Sequence, residues 1–427
     1  MTVPAEARTG STSARAPYTL VALLSAALLI NYVDRGSISI AAPLLEKELQ
    51  LAPAQTFLML SAFFWAYVPS QPLMGWLADH LGAARVLAAG FALWSVSTFL
   101  TGRSAGIVGL VGLRLVMGVG ESVFYPSALA LLAQRVAERH RARATAVVQF
   151  GAVVGPALGA FVGGLVMVRY GWRAMCMALG AGSLLWLIPW MTQLRIPPQK
   201  APSARTSDAA PSYATILRQR ALWGTMVGNF CSNYAFYFVF TALPLYLVHE
   251  RGLSLTSMTR VTSAYYLVDA ASVLATGWLL DAWVRRGASP SRAYKTALVL
   301  SAAGVGLCLL AASAASAATG VGLLLAIALA DGLNSPPVCS VTQRFAGPLA
   351  TGRWMGLQNA VSNCSGIIAP IVTGAVVQTS GHYTLAFWVT GTVALSGLFC
   401  WLVIVPEVEP IDWRHARASA VGAPAQG

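Results

Sequence analysis

The chain reads as an all-α membrane protein, with twelve transmembrane helices arranged as two six-helix bundles. Three observations carry that expectation. Of its 427 residues, 56% are hydrophobic and only 10% charged, whereas a soluble domain is nearer one quarter charged. About twelve apolar stretches reach the roughly 20 residues that a helix needs to cross a ~30 Å hydrocarbon core. The run Gly-Trp-Leu-Ala-Asp-His-Leu-Gly-Ala-Ala-Arg at 75–85 returns, blurred, as Gly-Trp-Leu-Leu-Asp-Ala-Trp-Val-Arg-Arg-Gly at 277–287. A polar turn duplicated about half a chain apart is the mark of a carrier built from two similar bundles.

In order, the expected spans are 17–43, 55–77, 84–102, 106–133, 144–168 and 173–194, then 220–248, 257–281, 293–313, 317–342, 353–379 and 383–405. Helices must do the spanning, because lipid offers no hydrogen-bond partner to an open backbone. Residues 1–16 are polar, lack an apolar core and form a cytoplasmic tail, so no cleaved signal peptide is expected and the first apolar stretch is helix 1. The segment 195–219, with Pro197, Pro198, Pro202 and Pro211, is a cytoplasmic linker between bundles 17–194 and 220–405. The tail 406–427 turns acidic, then rich in Ala and Gly, and is expected to be disordered.

The net charge of +13 could suggest nucleic acid, but its distribution does not. With both termini inside, 20 of the 28 Lys and Arg fall on inner segments, six on outer loops, and Arg35 and Arg114 within helices. That is the positive-inside bias of a multi-pass protein of an inner or plasma membrane. The six cysteines stand singly in apolar helices, without a Cys-x-x-Cys pair or a His cluster, so neither metal nor disulfide is expected. No Gly-x-x-x-x-Gly-Lys-Ser/Thr occurs, which excludes an ATP motor on this chain, and no hydrolase-type Ser/His/Asp set is placed at a membrane face. The expectation is a monomeric transporter and no enzyme, with no cofactor beyond protons as coupling ion.

Each duplicated turn has a physical rationale. Gly75 and Gly277 would let neighbouring helices approach closely. Asp79 and Asp281 would cap the next helix or pair with Arg85, Arg285 or Arg286, a contact able to lock the bundles in one state. A plain polar hairpin without a gating role is the alternative. The turn resembles the loop between helices 2 and 3 of the major facilitator superfamily, which implies the major facilitator fold.

Helix 1 ends its apolar run on Asn31-Tyr32-Val33-Asp34-Arg35, and helix 4 carries Arg114, Glu121 and Tyr125. Seven residues turn a helix through about 700°, so Arg114 and Glu121 share a stripe, with Tyr125 one turn further. Each charge inside a membrane costs about 2.5–3.5 kcal/mol on insertion scales, so four of them imply a common polar cavity; two inert ion pairs between helices 1 and 4 are the bland alternative. Arg35 and Arg114 keep their charge and match a carboxylate in bidentate fashion. Asp34 and Glu121 can exchange protons, since burial favours the neutral acid and a neighbouring guanidinium the carboxylate. The set suits proton-coupled uptake of an organic anion.

The motif 31–41, the run Ser-Ala-Phe-Phe-Trp-Ala-Tyr at 61–67 with Gln71 following, and Gly-Leu-Arg…Gly…Glu…Pro across 112–126 resemble the anion:cation symporter family, which includes bacterial glucarate, galactarate and galactonate transporters. The resemblance implies proton symport of a sugar acid (hexonate, hexarate or hexuronate), with Asp34 and Glu121 as the protonated pair. It also implies substrate contacts at Tyr32, Arg35, Tyr67, Asn359 and Ser335. Two departures stand out. A family Gln aligns with Ala152 and a family Trp near Val338, with Gln149 one turn away to replace the amide. A dicarboxylic or aromatic acid is the next substrate class. Helix 5 carries Gly151, Gly155-Pro156, Gly159 and Gly163-Gly164, a ridge for close packing. Its Gly-Pro-Ala-Leu-Gly also resembles a drug:proton antiporter motif, which keeps an exporter as the rival reading.

Helix 7 offers Asn229, Asn233, Tyr234 and Tyr237 for sugar-acid hydroxyls or for interhelical bonding. Asp269 in helix 8 and Asp331 in helix 10 have no cation within helices 7–12. An unpaired carboxyl there is expected to hold its proton, and to donate it in a hydrogen bond to a substrate hydroxyl, tuning selectivity, or to a neighbouring helix.

Overall fold

The computed structural model describes residues 16–194, 211–313 and 316–413. Among these, ten helices are long and apolar enough to span a membrane, and two of them, of 49 and 52 residues, are far longer than one crossing requires. Each of the two is broken by a glycine with positive φ, Gly82 at 93° and Gly171 at 84°. Twelve crossings result. The first half contains α1 (Ala16–Leu49), α2 (Pro53–Leu77), α3 (Ala83–Thr101), α4 (Ile107–Ser122), α5 (Phe124–Arg135), α6 (Glu138–Leu158), α7 (Gly164–Leu184) and α8 (Leu187–Leu194). A short α9 (Tyr213–Leu217) precedes the second half: α10 (Arg220–His249), α11 (Leu255–Arg285), α12 (Pro290–Ala312), α13 (Ala317–Asp331), α14 (Ser335–Ser380) and α15 (Thr384–Phe399). Here α4 and α5 together make the fourth crossing. The fifth and sixth are α6 and α7–α8, joined through a π-helical turn and parted at Gly171. A break at Gly347, φ 59°, divides α14 between the tenth crossing, with α13, and the eleventh.

Several boundaries differ from expectation for identifiable reasons. Pro43 does not end helix 1; it sits inside α1, which continues to Leu49 and stops where Gln50 adopts φ 51°. Residues 406–413 are docked, not loose: Trp413 Nε1 donates to the Ala346 carbonyl at 2.8 Å, Arg344 Nε to that of Val408 at 3.0 Å, and Val408 N to Ser291 Oγ at 3.0 Å. The remainder of that tail, the first 15 residues and linker residues 195–210 lie outside the described residues.

Small residues set the spacing within the first half. A Cβ at Gly155 would stand 2.6 Å from Tyr32 Cβ and 2.9 Å from the Leu29 carbonyl, and one at Gly159 3.0 Å from Val33 Cα. The helix 5 ridge thus seats α6 on α1 where α1 carries the charged motif. Gly155→Ala should therefore destabilise the protein by about 1–3 kcal/mol through overpacking, read as a lower unfolding temperature of the purified protein. Gly322→Ala, whose Cβ meets nothing within 4 Å, should leave it unchanged. Equal thermal stability of both variants would contradict this packing.

The halves meet along α2 with α14, α1 with α10, and α6 with α11, and the seam is tight at the end away from the termini. There His249 Nδ1 lies 3.3 Å from a Glu46 carboxylate oxygen and Ala54 N donates to Gln378 Oε1 at 3.1 Å. Residues 359, 363, 366, 370 and 374 form one stripe of α14 facing α2. A Cβ at Gly366 or Gly374 would collide with Phe64 or Phe57, yet Asn359, lower on the same stripe, is exposed. The halves are therefore closed at the terminus-distal end and parted toward the termini.

Candidate functional site

The centre lies where α1, α2, α4 and α10 converge at mid-membrane. Asp34, Arg35, Arg114 and Glu121 are all at most 3% exposed. Arg35 donates from Nε and Nη2 to the same oxygen of Glu121, Oε2, at 3.0 and 2.7 Å, and from Nη2 to Asn31 Oδ1 at 3.3 Å. Three rings surround its guanidinium, with centroids at 4.9 Å for Tyr32, 4.6 Å for Phe63 and 4.9 Å for Tyr67. Such faces stabilise a cation that has lost its water. Phe63 and Tyr67 stack on each other at 5.1 Å, which fixes that wall. Tyr237 of α10 reaches the same centre from the second half, edge-on to Phe64 at 4.6 Å and hydrogen-bonded to Asn363 Oδ1 at 2.9 Å.

The four helix charges do not form two ion pairs. Arg35–Glu121 is one. Arg114 lies over Phe63 at 5.5 Å and donates to Met117 Sδ at 3.4 Å; it acts on Glu121 electrostatically, but its Nε has no partner. Asp34 turns the other way, toward α7, where Ser183 Oγ donates to it at 3.1 Å. Adjacent residues on a helix point about 100° apart, so Asp34 and Arg35 serve different neighbours. Glu121 Oε1 and Asn31 Nδ2 are also buried and make no hydrogen bond of ordinary length, although the Asn31 amide stands near enough to Glu121 to act on its carboxylate. Orphaned donors and acceptors clustered about one ion pair are unusual for a structural centre, and fit a place where a polar molecule enters.

The remaining expected contacts are spread more widely. Tyr125 lies beside Tyr32. Gln149 is half-buried on α6 with no hydrogen bond to its amide among the described residues. Asn359 and Ser335 are exposed on the parted side, and Val338 is buried in the second half's own core. These positions are not gathered around Arg35 in this state. Asn229 bonds Ser362 at 2.6 Å and Asn233 bonds back to Asn229, so helix 7's amides serve interhelical and local bonding.

The duplicated turn departs from its expected roles. A Cβ at Gly75 would meet only Pro126, at 3.9 Å, and one at Gly277 would meet nothing within 4 Å, so neither glycine sits at a close helix approach here. Asp79, Arg85, Asp281 and Arg285 are exposed and form no ion pair among the described residues. Asp281 caps nothing, because α11 runs past it to Arg285, and the cap of α12 is Ser289, whose Oγ accepts from Arg292 N at 3.2 Å. Both turns lie on the parted side.

Sequence reasoning missed Phe63 and Ser183 and gave Asn31 no role. A Phe or Ser in a membrane helix has no distinctive pattern, and only the i, i+4 spacing of Asn31 and Arg35 was available as a signal.

A chain of twelve membrane crossings in two bundles, with a charged centre at their interface, is a multi-pass membrane transporter and not an enzyme. The Major Facilitator Superfamily model matches residues 24–348 and 230–427, and the chain belongs to that superfamily. It is 28% identical over 415 residues to the hexuronate transporter of Bacillus subtilis, covering 94% of this chain and 97% of that one. A probable sulfoacetate transporter of Cupriavidus necator is 27% identical over 411 residues, covering 91% and 95%. The D-galactonate transporter of Escherichia coli is 25% identical over 427 residues, covering 93% and 97%. Among solved structures, a bacterial homologue of the human lysosomal transporter Spinster, inward-facing and unoccupied, superposes with TM-score 0.72 at 16% identity over 97% of this chain and all of that one. A D-xylose–proton symporter gives 0.71 at 16% identity, covering 92% and 98%.

Proposed function

We propose that this transporter imports a carboxylated metabolite, a sugar acid such as a hexuronate, hexonate or hexarate, together with one or more protons. The observation that carries this reading is the Arg35–Glu121 pair: both donors of the guanidinium fork that point at Glu121 end on its Oε2. A substrate carboxylate can take the fork only when Glu121 gives it up, and a proton on Glu121 is what releases it. Anion and proton thus bind together and leave together, which is symport. Tyr32, Tyr67, Tyr237 and Asn31 would supply hydroxyl and amide partners for the sugar-acid chain. Relatives named for hexuronate, D-galactonate and sulfoacetate support the anionic class. The excess of Lys and Arg on the terminus side supports a plasma or inner membrane with both termini cytoplasmic. On that orientation, the state described faces the cytoplasm.

The rival exporter reading rested on the helix 5 glycines, and their contacts with Leu29, Tyr32 and Val33 account for them as packing. Reconstituted protein should accumulate at least one labelled acid among glucuronate, galacturonate, galactonate, glucarate and sulfoacetate when the vesicle interior is more alkaline, and only equilibrate it without a pH gradient. Efflux of cationic drugs with no uptake of any acid would reverse the assignment.

A further inference from the structure

Asp269 and Asp331 belong to different crossings, and the structure brings them together. On α11, Leu267, Leu274 and Trp278 are 65%, 53% and 69% exposed and form the apolar outer stripe. Asp269 falls on the opposite face, with Tyr265, Tyr266, Ser272 and Thr276. One turn beyond it, Ser272 Oγ donates to the Leu329 carbonyl of α13 at 2.6 Å. Next to Asp331, a Cβ on Gly332 would strike Ser272. The two backbones therefore run close, and the two carboxyl groups act on each other and on Tyr265 and Tyr266.

Among the described residues, no cation balances them. Basic residues of α11 stand near its ends, Arg260 and Arg285, and α13 has none. Neither acid has an ion-pair partner among the described residues. The other helices packed on α11 present no titratable group to either carboxyl among the described residues. Polar groups of another kind accompany the pair. Thr262 and Thr276, two turns to either side of Asp269 on its own face, are 1% and 3% exposed, and both hydroxyls lack a partner. Thr262 and Tyr266 also line a cavity of about 10 Å³ with Gly36 and Ser39 of α1, and Ser39, 2% exposed, has an unpartnered Oγ. Ile40, Pro156, Phe240 and Pro244 complete its lining, so the space is mostly apolar with two or three hydroxyls on its wall. It lies beside Gly36, the neighbour of Arg35.

We propose that Asp269 and Asp331 form a second proton-binding site in the C-terminal half, two carboxyl groups holding one proton between them. The physical reason is the cost of like charge. Asp269 and Asp331 are each half-buried; two carboxylates held close together within the membrane-spanning region, with no cation beside them, repel each other, and one proton shared between them removes the repulsion while making a strong hydrogen bond. The proton itself is bound whatever the carrier transports; its use in transport rests on the symport reading above.

Infrared pH titration of the purified full-length protein tests the site without knowing the substrate, because a protonated carboxyl has its own carbonyl band. The double variant Asp269→Asn/Asp331→Asn should lose one such band that the unmodified protein keeps at neutral pH. Asp269→Glu, which keeps the acid, should retain it, and Glu121→Gln should leave it in place. Identical titrations of the unmodified protein and the double variant would overturn the proposal. So would erasure of the band by sodium but not by choline, which would make the pair a metal-cation site. An intact band with no acid transported would sink symport but leave the proton site standing. Proton-driven acid uptake together with an infrared titration unchanged in the double variant would do the reverse.

Discussion

Arg35→Lys is expected to weaken binding of the transported acid by roughly ten- to hundredfold while leaving the protein folded. The guanidinium offers two parallel donors in a fixed plane, and it lies under three aromatic faces. An ammonium keeps the charge but loses the second directed hydrogen bond and the stacked surface. A hydrogen bond to a charged group contributes about 1.5–3 kcal/mol, which sets the range. Folding should survive because Lys can still reach Glu121 as a point charge, so the buried carboxylate is not stranded. Arg114→Lys is the informative comparison. Arg114 has no carboxylate partner and touches Phe63 and Met117, so its replacement should reduce affinity less. The check is a binding isotherm for whichever acid the vesicles accumulate. Unchanged affinity in Arg35→Lys would remove Arg35 from the substrate contacts.

Much of this architecture was legible because membrane physics leaves few alternatives. An apolar run of about 20 residues has to be a helix, and all twelve runs became crossings. The gaps between expected spans at 169–172 and 343–352 already contain the two interruptions, Gly171 and Gly347. What patterning did not resolve is the end of helix 1, expected at 43 and continued through Pro43 to Leu49. The centre was legible in part. Charges in a membrane helix are costly enough that Asp34, Arg35, Arg114 and Glu121 announced themselves. Which acid pairs with which base depends on how each helix is rotated about its axis, and that is not written in the spacing of the charges. Asn359 and Ser335 show a different limit. Sequence resemblance marks positions that meet a substrate somewhere in a transport cycle, whereas one structure holds one state, here with the terminus-side seam parted. The apposition of Asp269 with Asp331 was illegible for a simpler reason, since 62 residues separate them in sequence.

Glu121→Gln should separate binding from energy coupling. Gln has the shape of a protonated Glu, so the variant should be fixed in the substrate-competent form, with Arg35 no longer held by a carboxylate. Counterflow of labelled acid, which needs only binding and alternating access, should persist. Accumulation against a gradient should not. Each coupled proton contributes about 1.4 kcal/mol, or roughly tenfold accumulation, per unit of pH difference. Under a gradient of about one pH unit, the unmodified protein should therefore concentrate its substrate about tenfold or more, and Glu121→Gln should stop near equality. Stability supplies a second readout. Removing one member of a buried ion pair costs about 3–5 kcal/mol because the other is left uncompensated. The empty variant should thus unfold at a lower temperature, and a bound carboxylate, by satisfying Arg35, should raise that temperature more than it does in the unmodified protein. A merely structural Glu121 would lower stability without this extra response to ligand. If Glu121→Gln still concentrates substrate, the coupling proton is carried by another acid. Asp34, hydrogen-bonded to Ser183 rather than to an arginine, would then be the first residue to replace.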